Sequence, residues 1–265
     1  MNGTESRTTI GTIVRMTAAE LLKLYRRRAL MAWSVVLFVG AQLVFYGLGA
    51  IQHAADPAHH GPAGGPRGLA NAMMLVGYLG GVAAVMIGTA AGGGDTAAGV
   101  FRDLASTGRS RIALFAVRLP AALAVTGVLA VSAFAVTATG AVVFAGAGSA
   151  PPAAVLAQCG VAVATTIGVT TVLAVGLSSL MSSRSITIGL LLCWNLALAR
   201  VLEHATSLGS LREALSLGAT DRLVPVSVGG AYVVPMQVWT AALVLLGWVA
   251  VAVLAGAWQT AHRDA

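Results

Sequence analysis

The sequence predicts an all-α integral membrane protein. It has six transmembrane helices, an amphipathic N-terminal helix at the membrane interface, and a short helix in the cytoplasmic loop after the second span. Three observations carry this. Of 265 residues, 57% belong to the hydrophobic set and 9% are charged, where a soluble domain carries roughly 25% charged residues. So few charges cannot cover a water-exposed surface, and so many aliphatic residues exclude a disordered chain. The apolar residues also fall in long runs, near the roughly 20 that a spanning helix needs. Finally, the cations that give the formal charge of +7 flank those runs. They read as topology and lipid-headgroup contact, with no nucleic acid as partner. Both cysteines, Cys159 and Cys193, lie inside apolar runs, which leaves no disulfide framework and no paired-cysteine zinc motif.

Residues 1–29 read as a cytoplasmic N-terminal segment. Arg15, Lys23, Arg26, Arg27 and Arg28 precede the first apolar run without a small-x-small cleavage site, so no secretory signal peptide is expected. Ile10, Ile13, Val14, Thr17, Leu21, Leu24 and Tyr25 recur at i, i+3, i+4, i+7 steps, with Arg15, Glu20, Lys23 and Arg27 mostly off that stripe. That pattern predicts a helix lying in the interface. The membrane domain covers 30–258, with spans near 30–51, 69–92, 117–147, 153–181, 185–203 and 237–258. The third and fourth exceed what a bilayer requires and are expected to tilt or protrude. Pro151-Pro152 sets a tight turn between them. In the sixth, Trp239 and Trp258 stand nineteen residues apart, about 28 Å along a helix, which matches the two aromatic belts of a bilayer. The external segment 204–236 holds a helix-like stretch from Ser210 to Leu217. Its Gly-rich piece from Val224 to Pro235 reads equally as re-entrant or as a surface loop. Residues 259–265 form a cytoplasmic tail.

Orientation follows from the basic residues. Twelve lie in the N-terminal flank, the 93–118 loop, at Arg184 and at Arg263, against Arg67, Arg200, Arg212 and Arg222 on the alternate side. This places both termini and the 93–118 loop in the cytoplasm. Lys23 is the only lysine against fifteen arginines, and the Ala, Gly and Val bias points to a high-GC bacterial genome, hence a bacterial cytoplasmic membrane.

Candidate chemistry is sparse. Gly77, Gly81, Ala84, Gly88 and Gly92 form a small-residue face that predicts close helix packing. Arg200 and Glu203, near the outer end of the fifth span, are spaced to pair. No acidic residue falls near mid-membrane, which counts against a proton-coupled carrier. His53, Asp56, His59 and His60 could in principle bind zinc or copper. The surrounding Pro57, Gly61, Pro62, Gly64, Gly65 and Pro66 read as a solvated loop instead, and no metal site is expected. There is no G-x-S-x-G, H-E-x-x-H or G-x-x-x-x-G-K-[ST] motif, so neither hydrolytic chemistry nor ATP hydrolysis by that route belongs to this chain.

The most informative stretch follows the second span. Asp95 or Thr96 can cap a short helix, Val100, Phe101 and Leu104 share one face of it, and Gly108 can end it. Ser110 can cap the helix that runs into the third span. Asp95, Gly99, Leu104, Ser110-Arg111 and Arg118 stand at the spacings of the inner loop in a known family. The chain resembles the permease subunits of type-2 ATP-binding-cassette (ABC) transporters. The resemblance extends to the basic N-terminal helix, the six spans and the long fifth-to-sixth external segment.

The resemblance implies a non-enzymatic transport subunit, in which the loop helix is a coupling helix docked on a separate ABC ATPase. ATP and Mg would be held by that ATPase, in two copies, and this chain would hold no cofactor. A second permease, identical or homologous, would complete the path across the bilayer, and the direction would be export. Asp95, Gly99, Phe101, Arg102 and Arg111 would form the coupling region. Gln42, Tyr46 and Asn195, in the first and fifth spans, would line the substrate path. Two other classes stay open: a membrane scaffold or assembly factor, and a membrane-bound metal-dependent enzyme using the external His cluster.

Overall fold

The computed structural model describes residues 3–97, 110–146, 150–181, 183–229 and 234–262. Among them there is no strand, and six helices are long and apolar enough to cross a membrane: Arg28–Ala55, Gly65–Gly94, Arg111–Val143, Ala153–Leu180, Arg184–His204 and Val238–His262. The protein is therefore an all-α, multi-pass membrane protein. The spans start or end within a few residues of the sequence boundaries. The third begins six residues earlier than expected, because Ser110 caps it by accepting the Ala113 N–H at 3.0 Å. Pro152 occupies the N-cap of the fourth span in extended conformation, the turn that the Pro-Pro pair predicted.

The second and fourth spans are the most buried, and the fifth and sixth the least. The centre is held by close approach of backbones. A β-carbon on Gly88 would stand 2.8 Å from the Thr171 carbonyl, and one on Gly92 would stand 2.4 Å from the Val175 carbonyl. The fourth and sixth spans meet in the same way at Gly176, whose hydrogen faces the Ala252 carbonyl. Such contacts need glycine, and in a bilayer packing replaces the hydrophobic effect as the force between helices. The outer faces carry Val201, Leu246, Leu254, Trp239 and Trp258, all more than half exposed. Both tryptophans of the expected belts thus face outward.

The N-terminal helix spans Gly3–Arg26. Its last turns pack on the bundle: Leu24 is buried and Leu21 partly buried against the core. Ile13, Val14, Leu22 and Tyr25 remain exposed. Leu24→Asp should therefore cut yield and thermal stability sharply, since a carboxylate in that packed contact costs several kcal/mol. Wild-type stability of the variant in a detergent melting experiment would show that the helix does not dock.

The segment between the fifth and sixth spans is helical over much of its described length. A 3₁₀ helix covers Thr206–Ala214, kinked at Gly209 where φ is +53°, and an α-helix covers Ser216–Asp221. A short helix over Val226–Gly229 follows, with Val228 packed into the core cluster.

Candidate functional site

Three spans carry a π-helical turn: Val36–Gly40 in the first, Val76–Gly80 in the second and Trp194–Leu198 in the fifth. Such turns widen the helix by one residue and concentrate at functional sites. The first two face each other, with the Phe38 ring filling the place of a Gly80 side chain. The third lies across a gap from the second.

That gap is a cavity of about 460 Å³, bounded by the second, fourth and fifth spans and by the 216–228 segment. Its walls are mainly apolar, among them Met73, Val76, Val85, Ile167 and Leu173. The small-residue face of the second span divides at this level. Gly88 and Gly92 press on the fourth span, whereas Gly77 and Gly81 line the cavity and have nothing within 4 Å of a built β-carbon. One sequence pattern thus serves packing at one end of the helix and open space at the other.

The polar end of the cavity centres on Arg200. Its guanidinium bonds to Asp221, lies 3.4 Å from Glu203 and sits 5.9 Å from the centre of the Tyr78 ring. Such a ring contact is attractive to a cation. Glu203 is fully buried, and its Oε1 has no hydrogen-bond partner among the described residues. Arg212 donates to the Glu203 carbonyl at 3.2 Å, Arg222 to the Met236 carbonyl at 2.7 Å, and the Trp248 indole to the Ala214 carbonyl at 2.9 Å. These bonds fasten the 206–222 segment to the fifth span and to the start and middle of the sixth. The spacing of Arg200 and Glu203 foretold their pairing. Asp221 and Tyr78, which complete the cluster, had no local signal, because twenty-one residues or a different helix separate them from Arg200.

The residues expected to line a path separate. Asn195 lines the cavity, its side-chain amide donating to the Leu191 carbonyl at 2.9 Å. Gln42 and Tyr46 are buried between the first and third spans and are not among the cavity's lining residues. The Tyr46 hydroxyl donates to the Thr137 carbonyl at 3.0 Å, and the Thr137 hydroxyl to Gln42 Oε1 at 3.2 Å. The Tyr46 ring also occupies the space over Gly140. Both residues point to the third span because that is where a phenol and an amide find partners inside an apolar bundle.

Of the coupling residues, Gly99, Phe101 and Arg102 lie outside the described residues. Asp95 falls near the end of the helix Gly81–Ala97, and Arg111 begins the helix that Ser110 caps. The two ends of the loop are joined below it: Arg118, buried at the start of the third span, donates from Nη1 to the Gly92 carbonyl at 2.9 Å.

His53, His59 and His60 turn to their own loop. His53 Nδ1 lies 2.6 Å from the His60 carbonyl, and His59 Nδ1 lies 2.7 Å from Asp56 Oδ2. Among the described residues no three His, Cys, Asp or Glu side chains gather as a metal site would require.

No protein-family model and no curated protein matches this chain.

Proposed function

We propose that this chain is the membrane-spanning permease subunit of an ABC exporter in a bacterial cytoplasmic membrane. It would act with a separate ATPase in two copies, which binds ATP and Mg, and with a second permease. The observation that carries this reading is the loop joining the second and third spans, with Asp95, Gly99, Leu104, Ser110-Arg111 and Arg118 at the family spacing. The geometry around the loop supports it. Arg118 ties the third span to the last turns of the second, so a push on the loop would move both helices together. The second span would carry that motion past its close contact with the fourth span at Gly88 and Gly92. Its π-helical turn, where Tyr78 meets Arg200, would then alter the cavity. Two arrangements of the second span against the fourth and fifth would give the alternating access an exporter needs. The substrate path would run through the cavity, with Asn195 on its wall.

Gly81→Leu tests the path. The position has free space around it, so the side chain should enter the cavity without disturbing the helix contacts. ATP turnover by the assembled transporter should lose its stimulation by substrate, while thermal stability stays at the parent value. Full transport by a stably folded Gly81→Leu protein would remove the cavity from the path.

Orientation is tested by single cysteines in a background lacking Cys159 and Cys193. Cysteines at His60 and Ser210, both exposed, should react with a membrane-impermeant thiol reagent in intact cells. One at Ser106 should react only after lysis. Labelling of the Ser106 site in intact cells would reverse the topology and end the coupling-loop reading.

A further inference from the structure

The cavity bounded by the second, fourth and fifth spans lies deep in the membrane domain. Tyr78 and Thr166, on its walls, stand close to the midpoints of the spans Gly65–Gly94 and Ala153–Leu180. Its back wall is buried and apolar at Val76, Val85 and Ile167. Met74 and Tyr78 of the second span and Leu196 of the fifth also line it, and all three are exposed. The cavity therefore opens sideways between those two spans, toward the hydrocarbon of the bilayer.

The polar groups on its walls are of two kinds. Arg200 and Asp221 are charged, but they are bonded to each other, and Arg200 also meets Glu203, which is fully buried and outside the lining. His204 turns its Nδ1 to the Arg200 carbonyl at 2.8 Å. The uncharged groups differ. Among the described residues, the Asn71 amide and the Tyr78 and Thr166 hydroxyls have no hydrogen-bond partner, and Asn195 gives its N–H to the Leu191 carbonyl and leaves Oδ1 open. The charges are thus paired within the protein, while neutral donors and acceptors stay unfilled. A charged head entering at this depth would need a counter-charge that the walls have already committed. A hydroxyl or an amide would find partners, which is how a mainly apolar pocket fixes the orientation of a ligand. We infer that the cavity takes an uncharged amphiphile from the bilayer, with an apolar body and hydroxyl or amide groups. This rests on the transport reading and names its substrate class. The volume of about 460 Å³ suits a drug-sized molecule.

The test offers the full chain, in lipid nanodiscs, three probes with one apolar body: pyrenebutanol, pyrenebutylamine and pyrenebutanoic acid. Binding is read as energy transfer from tryptophan to pyrene, and the part that Gly81→Leu abolishes is assigned to the cavity. Pyrenebutanol should bind there, and the amine and the acid should bind at least about ten-fold more weakly. R200Q leaves the Asp221 carboxylate without its cation and should turn the preference to the amine. Cavity binding of the amine or the acid as tight as that of the alcohol overturns the uncharged class, and this arm decides the matter even if R200Q fails to fold. A folded R200Q protein that still prefers the alcohol also overturns it, since the paired charges would not set the choice. If Gly81→Leu changes the binding of no probe, the class falls as well. The path then stands or falls separately, on whether Gly81→Leu blocks transport.

Discussion

Gly92→Ala should destabilise the bundle, whereas the same substitution at Gly81, three turns earlier on the same helix, should not. At Gly92 the new methyl group would stand 2.0 Å from Ser178 Oγ and 2.4 Å from the Val175 carbonyl. The serine can rotate away, but the backbone carbonyl cannot, so the second and fourth spans must separate. Overpacking of this kind costs about 1–3 kcal/mol. The displaced Gly92 carbonyl would also strain its bond from Arg118 and disturb both ends of the loop between the second and third spans. At Gly81 nothing lies within 4 Å, and alanine should gain up to about 1 kcal/mol from helix propensity. Thermal unfolding of the two purified variants reads the contrast directly. A matching shift in both would mean that the second and fourth spans do not touch as described.

On the proposed transport reading, Phe101→Ala should uncouple the chain from an ATPase partner while leaving it folded. If the loop helix docks in a partner's cleft, Phe101 is its aromatic anchor, and truncating such an anchor costs about 2 kcal/mol or more of binding. That corresponds to roughly thirty-fold weaker association. Arg102 and Asp103 would be rim charges that set register, so Arg102→Ala should do less. The measurements are ATPase pull-down and ATP turnover in reconstituted vesicles, with thermal stability as the control. A Phe101→Ala protein that unfolds, yet binds the ATPase normally in the surviving fraction, would place Phe101 in the core and refute docking. This outcome is separable from the Gly81→Leu test, which probes the cavity and leaves the loop intact.

The local features were legible in the chain. Apolar runs of spanning length gave the six helices, Ser110 gave the cap of the third span, and Pro151-Pro152 gave the turn before the fourth. The i, i+3 spacing gave the Arg200–Glu203 pair. Each depends on residues within one or two turns of one another. The small-residue face of the second span was legible as a pattern but not in its two uses. Which glycine meets a carbonyl and which meets a void depends on where the second span touches the fourth, a helix far away in sequence. The placement of Gln42 and Tyr46 escaped the sequence for the same reason. A polar side chain inside an apolar span signals that a partner exists without saying on which helix.

By itself, then, the sequence determined the membrane class, the spans and the inner-loop spacing, because these follow from composition, length and local periodicity. Only the tertiary structure decided the rest. It set Asp221 and Tyr78 around Arg200, opened the cavity behind Gly77 and Gly81, and brought Arg118 of the third span to the Gly92 carbonyl of the second. In each case the physical cause is a buried polar or glycine backbone group that must find its partner across the bundle. No pattern along a single helix records where that partner lies.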